Sequence, residues 1–301
     1  MSTTSPGGPP PTPQTTIRRR RAGAALLLAV IVILAIGASF SRGGASHHHA
    51  ARRVLRHILA THPSVAQRQA RTQAAETAAI NRVLSYTPAI RSGGSSGDEV
   101  ALTFDDGPGP YTVQLVHTLS ALHVKATFFA IGEEERYFSA GTAAELSAGD
   151  VVGDHTETHP MMAGLSAHEQ HEELFEQILR IQFLNGPTPR LFRPPYGSFN
   201  ATTFKELHKL HLLTVLWSVD TSDYTLPGTA TIVQRALAGA RPGAIVLMHD
   251  GGGDRSETIA ALPAIVAGLR RKGLHPVTVP RLLLDDPPPR GLPIPTSLAG
   301  D

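Results

Sequence analysis

Cysteine is absent from the 301 residues, which excludes disulfides and thiolate metal ligands. Any metal ion this chain binds must be held by histidine and carboxylate. Aromatic residues are scarce at 5%, with a single tryptophan. Acidic residues are nearly missing from the first third: residues 1–98 hold 12 Lys+Arg and 2 Asp+Glu, whereas residues 99–301 hold 15 and 23. The first segment is therefore +10 and the second −8. A phosphate backbone needs a cationic face, so the larger, acidic part excludes nucleic acid as its partner.

Charge is also missing between Arg21 and Arg42, a stretch of 20 residues that runs through Val30-Ile31-Val32-Ile33-Leu34. At about 1.5 Å rise per residue such a helix spans a hydrocarbon core of roughly 30 Å. Arg18 to Arg21 precede it and favour the cytoplasmic side. Residues 22–41 thus read as a transmembrane anchor, with 1–21 a disordered cytoplasmic segment and the rest outside the membrane. A cleaved signal peptide is the competing reading, because Ala35-Ile36-Gly37-Ala38 offers small residues near a cleavage point. Either reading exports the globular part. Residues 42–98 read as a partly helical stalk ending in a flexible joint, Arg91 to Gly97. The Pro-rich tail from 285 to 301 is expected to trail off the domain.

From Glu99 onward, strand-like and helix-like stretches take turns. Strands are expected at 100–104, 126–131, 151–152, 191–192, 213–219, 244–248 and 276–279, with amphipathic helices between them. Such alternation predicts parallel strands with crossover helices, an α/β fold. About seven repeats favour a closed or nearly closed barrel, whose chemistry sits in loops at the C-terminal ends of the strands.

Five polar clusters fall at those ends: Thr103-Phe104-Asp105-Asp106-Gly107-Pro108, His155-Thr156-Glu157-Thr158-His159, Arg193-Pro194-Pro195-Tyr196-Gly197, Asp220-Thr221-Ser222-Asp223-Tyr224 and Leu247-Met248-His249-Asp250. Turns are rich in Asp, Gly and Pro anyway, so one cluster would say little. Five in series are hard to explain as loop chemistry. His155 and His159 are four apart, so one helical turn or a compact loop can aim both imidazoles at one point. Adjacent Asp105 and Asp106 alternate in direction at a strand end, which lets one bind metal while the other faces a carbonyl under attack. Two histidines and one carboxylate leave coordination positions open, as a catalytic zinc site requires.

A bound divalent cation lowers the pKa of its water toward about 7. A carboxylate beside that water can take its proton, and a histidine across the site can protonate a leaving nitrogen. His249, at the end of an apolar strand, is the candidate acid. Asp220 is expected to hold its imidazolium, and Arg193 to orient the base carboxylate. Trp217, inside a strand run, reads as core.

In this order the five clusters resemble the motif set of the polysaccharide deacetylases of carbohydrate esterase family 4, the NodB homology domain, over about Glu99 to Leu283. The resemblance implies a distorted (β/α)7–8 barrel, here at 99–284, that hydrolyses N-acetyl groups on amino sugars or, less often, O-acetyl groups. Carried over by position, Asp105 is the general base, and Asp106, His155 and His159 are the metal ligands. Arg193 positions Asp105, the Tyr196 N–H stabilises the oxyanion, Asp220 tunes the acid His249, and Leu247 lines the acetyl pocket. The family usually has Trp where Tyr224 stands, a smaller aromatic wall that brings a hydroxyl.

The expected function is that of a membrane-anchored, extracytoplasmic deacetylase of peptidoglycan or another N-acetylglucosamine polymer. Its expected metal is Zn2+, with Co2+, Ni2+ or Mn2+ also compatible with His2Asp. The competing functions are a non-catalytic glycan-binding barrel, an O-acetyl esterase and an amidohydrolase of small amides.

Overall fold

The computed structural model describes residues 65–298. The chain divides into two compact units, residues 1–70 and 71–301; the sheet, the core and the site belong to the second. The expected cytoplasmic segment and the 22–41 span lie outside the described residues, as does the stalk up to residue 64. Among the described residues no helix is long and apolar enough to cross a membrane.

The strands are β1 (Ala89–Ile90), β2 (Glu99–Asp105), β3 (Thr127–Ala130), β4 (Val151–Asp154), β5 (Leu191–Phe192), β6 (Leu213–Val215), β7 (Val219–Asp220), β8 (Ile245–His249) and β9 (His275–Val277). The helices are α1 (Val65–Leu84), α2 (Thr112–Ala121), α3 (Gly132–Ala148), α4 (Ala167–Phe183), α5 (Ala201–Leu210), α6 (Thr229–Gly239), α7 (Ser256–Arg271) and α8 (Val279–Asp285). Side chains set several boundaries. Ser166 and Glu169 close a capping box that starts α4, Asn200 caps α5 through Thr202 and Thr203, and Gly149 ends α3 at φ 81°.

The strands pair in the order β1-β6-β5-β4-β3-β2-β8-β7, with β9 on the first residues of β2, and every one of these pairings is parallel. Strand β2 sits centrally and is buried from Val100 to Asp105, so its apolar run shows no solvent-facing alternation. Its two faces still diverge with period two. Val100, Leu102 and Phe104 join Val246, Met248, Leu115 and Leu262 beneath α2 and α7. Ala101 joins Phe129, Leu213, Val215 and Ile245 on the other side. Thr103 and Asp105 share that second face, so β2 delivers Asp105 into the concave side of the sheet.

The parallel sheet is curled into a half-barrel, in keeping with the expected distorted (β/α) barrel, with β1 and β7 at opposite ends of the strand order. Two expectations change. The single strand expected at 213–219 is two: β6, between β1 and β5, and β7, at the far edge beside β8. Leu216 N donates to Ile90 O and Ser218 N to Ile245 O, so the chain changes partner within three residues and the sheet opens there. The stalk and tail contribute structure as well. Ala79, Ile80 and Val83 of α1 are buried beside Leu213 and Val215, and β1 pairs with β6. The expected flexible joint is tied down, with Gly93 N bonded to Gly243 O, Gly94 N to Asp286 O, and Ser96 N and Gly97 N to the Asp286 carboxylate. Beyond α8 the tail returns to the domain, where Leu298 N donates to Gly197 O.

Candidate active site

All five clusters lie at C-terminal strand ends, and the structure gathers their polar side chains. Asp105 ends β2 and is buried; its Oδ1 accepts from Arg193 Nη1 at 2.7 Å. Arg193, from the loop after β5, is fully buried. It also donates to Thr103 Oγ1 at 2.8 Å and to Val215 O at 3.0 Å, and its guanidinium lies 4.3 Å from the Phe129 ring centroid. A guanidinium fixed at so many points leaves Asp105 one orientation, as a buried charge pair requires. Trp217 is partly buried against the core and 5.7 Å from the same guanidinium.

The next residue turns outward. Asp106 adopts φ 70°, and its Oδ1 lies 3.4 Å from His155 Nε2 and 3.2 Å from His159 Nε2. The two histidines come from a compact loop rather than a helical turn. Thr156 and His159 both have positive φ, 72° and 62°, and His159 N donates to Thr156 Oγ1 at 2.9 Å. Left-handed backbone at non-glycine residues is costly and collects where side chains must be aimed. Glu157 anchors the loop through Arg136 at 2.6 Å and Arg180 at 2.9 Å.

His155 Nδ1 lies 2.6 Å from Arg193 O. A carbonyl only accepts, so Nδ1 carries a proton and Nε2 is the ring atom that faces Asp106. Ligand atoms of Asp106, His155 and His159 all fall within 4.8 Å of one another. With both Nε2 atoms and a carboxylate oxygen on one point, the donor set fits a small divalent cation. Burial pushes the Asp106 carboxyl up, but His155 and His159 outweigh it and hold the group well below the usual carboxylate range.

Across the site His249 ends β8, in register with Asp105 on β2. Its Nδ1 lies 2.8 Å from Asp223 Oδ1, while Asp223 Oδ2 accepts from His249 N at 2.9 Å and from Thr258 Oγ1 at 2.7 Å. The residue expected in this place was Asp220. Asp220 is instead exposed, and its Oδ1 accepts from Ser222 N at 2.6 Å, an Asx turn that delivers Asp223 to the imidazole. Two carboxylates three apart after a strand were the available signal: the first builds the turn and the second uses it. Burial pushes the His249 imidazole down, but the Asp223 carboxylate, with Asp106 and Asp105, outweighs it and holds the group above the ordinary histidine value.

The remaining expected residues line the rim. Leu247 is buried two residues before His249, on the same face of β8. Tyr224 is exposed with its ring edge-on to His249 at 5.3 Å between centroids. Tyr196 stands in the 195–197 turn at φ 57° and is also exposed. Together these groups can hold a cation, accept a proton at Asp105 and donate one from His249.

Residues 92–215 match the polysaccharide deacetylase family model. A peptidoglycan-N-acetylglucosamine deacetylase of Bacillus cereus is 39% identical over 61% of this chain and 87% of its own length. The chain belongs to the polysaccharide deacetylase family. A solved peptidoglycan N-acetylglucosamine deacetylase, bound to a hydroxamate-type benzamide, superposes with a TM-score of 0.64 at 33% identity, over 66% of this chain and 94% of that one. Relatives with such names are N-deacetylases, hydrolases of carbon–nitrogen bonds. The fold is shared equally by a family 4 pseudoenzyme of Bacillus anthracis, with a TM-score of 0.62 at 31% identity over 65% of this chain and 69% of that one. Activity in a polysaccharide deacetylase domain therefore has to be argued from side chains rather than from the fold.

Proposed function

We propose that this polysaccharide deacetylase is a metal-dependent enzyme that removes N-acetyl groups from an exported N-acetylglucosamine polymer, with peptidoglycan as the favoured substrate. One observation carries the reading: ligand atoms of Asp106, His155 and His159 lie within 4.8 Å of one another, and Asp105 and His249 stand in register on the adjacent strands β2 and β8. A barrel kept only for binding would have no use for a buried acid locked by a buried arginine next to a histidine locked by a second buried acid.

In the proposed reaction Asp105 takes a proton from the attacking water, whose oxygen bonds to the acetyl carbon. Arg193 keeps the Asp105 carboxylate aimed at that water. The Tyr196 N–H is assigned to the developing oxyanion, and Leu247 to the acetyl methyl group. His249 then gives its proton to the amide nitrogen as the carbon–nitrogen bond breaks, so that acetate and a free amine leave. Asp223 fixes the Nδ1 side of the ring, which leaves Nε2 as the donating atom. A bound divalent cation supplies Lewis-acid polarisation of the carbonyl and acidifies water; Zn2+ suits the His2Asp set, and Co2+, Ni2+ and Mn2+ are the alternatives.

Export is proposed from the apolar 22–41 stretch behind Arg18 to Arg21, as a membrane anchor or, if cleaved, a secretion signal. The names of the relatives point the same way, since peptidoglycan lies outside the cytoplasmic membrane. The test is acetate release by the purified protein from peptidoglycan and N-acetylglucosamine oligomers, before and after a chelator and after zinc or cobalt is restored. Release that ignores the chelator overturns metal dependence, and no release from any acetylated glycan with metal present favours the binding-only barrel.

A further inference from the structure

The two histidines of the candidate metal site are held from behind in different ways. His155 Nδ1 is bonded to a backbone carbonyl inside the protein, Arg193 O at 2.6 Å. His159 Nδ1 has only a side chain: the Tyr196 hydroxyl at 3.2 Å, with the two rings edge to face and their centroids 4.7 Å apart. Tyr196 is 59% exposed, so burial does not force this contact. The backbone does. Tyr196 adopts φ 57°, a conformation unfavourable for a bulky residue. The next residue is clasped from outside, because Gly197 O accepts from Leu298 N at 3.0 Å and from Ser297 Oγ at 3.2 Å. A Cβ on Gly197 would stand 2.7 Å from Leu298 Cβ, so only glycine admits the tail so closely.

We propose that the Tyr196 hydroxyl is a positioning group for His159, its oxygen accepting a hydrogen bond from Nδ1–H so that Nε2 faces Asp106. With Nε2 turned to the ion, Nδ1 must carry the proton, and the phenol oxygen is the acceptor within reach. The hydroxyl's own proton then remains free on the solvent side, where the glycan would lie. Tyr196 thus joins two tasks: its backbone N–H, assigned above to the oxyanion, and its side chain, which sets a metal ligand. The inference rests on the metal-dependent reading.

The test is Tyr196→Phe in the full chain, which keeps the ring against His159 and removes one oxygen. Zn2+ alone is titrated against a chromophoric chelator, and the visible spectrum of the Co2+ form is recorded. Loss of a partner behind a ligating histidine typically weakens metal binding 10- to 100-fold, so that range is expected, together with a changed Co2+ spectrum and an unchanged melting temperature of the metal-free protein. Tyr137→Phe, which removes the hydroxyl of a 72% exposed tyrosine on α3, should leave affinity and spectrum as they were. Zinc affinity within twofold of wild type and an unaltered spectrum in Tyr196→Phe overturn the inference alone. A wild-type protein that binds no zinc overturns the metal-dependent reading with it.

Discussion

Two groups of buried acids lie side by side in this domain and are treated in opposite ways. At the rim, Asp105 faces Arg193, Asp106 faces two histidines, and Asp223 faces His249. Around α3 a second group, Glu135, Glu145, Asp150 and Asp250, is buried, and its short hydrogen bonds come from hydroxyls and a backbone amide rather than from a paired cation. Thr142 Oγ1 donates to Glu135 at 2.9 Å, Ala126 N to Asp150 at 3.0 Å and Thr112 Oγ1 to Asp250 at 2.5 Å, while among the described residues neither Glu145 oxygen has a hydrogen-bond partner. Burial pushes up Asp106 and Asp223 at the rim as it does the four acids of the second group, and the partner decides the outcome. His249 brings Asp223 below its ordinary value. In the second group burial prevails: Glu135 and Asp250 are pushed up to about 7, Asp150 to about 6, and Glu145 well above its usual value. At the rim the partners favour the charged form of Asp106 and Asp223, and in the second group burial favours the neutral form.

The comparison breaks most visibly at the rim. His155→Ala removes one of two imidazole ligands and should abolish both bound metal and acetate release, measured by elemental analysis and acetate assay. Asp105→Asn keeps the metal and loses turnover by at least the roughly 10²- to 10⁴-fold typical of acid–base groups. Metal lost from Asp105→Asn would mean that the adjacent aspartates have exchanged roles.

A smaller effect separates the two aspartates after β7. In the proposed reaction His249 is the acid and must be protonated, so the rate should fall as pH rises through its pKa, and the raised value should extend activity toward alkaline pH. Asp223→Asn removes the main support for that value and should move the alkaline limb of the kcat profile to lower pH. Asp220→Asn keeps an oxygen for Ser222 N, leaves the exposed turn intact and should leave the limb in place. A shift in Asp220→Asn but not in Asp223→Asn would restore the pairing expected from the sequence.

Much of this was legible beforehand. The parallel α/β alternation follows from local periodicity, and Asp105, Asp106, His155, His159, Arg193 and His249 stand together because each follows an apolar strand and is aimed by it. What was hidden depended on distant partners. Nothing local tells Asp220 from Asp223, since the turn and Thr258 on α7 decide which one reaches the imidazole. The break of residues 213–219 into β6 and β7 is set by Ile90 and Ile245. The stretch 91–97 looks like a linker by composition, yet Asp286, nearly two hundred residues away, bonds to three of its amides or flanking groups through carboxylate and carbonyl.

The interior acids offer the finest test. For Glu135 the folded-state pKa of about 7 exceeds the ordinary 4.5. Between those values the folded state holds more protons than the unfolded one, so stability is full below about pH 4.5 and falls as pH rises toward 7. The difference bounds the loss at on the order of 3 kcal/mol, and accommodation of the charge would reduce it. Glu135→Gln keeps an oxygen for Thr142 Oγ1 and cannot ionise. It should therefore melt near wild type at pH 4 and several degrees higher at pH 8, at roughly 2–4 °C per kcal/mol for a domain of this size. Equal melting temperatures at pH 8 would show that Glu135 is charged there and compensated, and the contrast between rim and interior would lose its sharpest member.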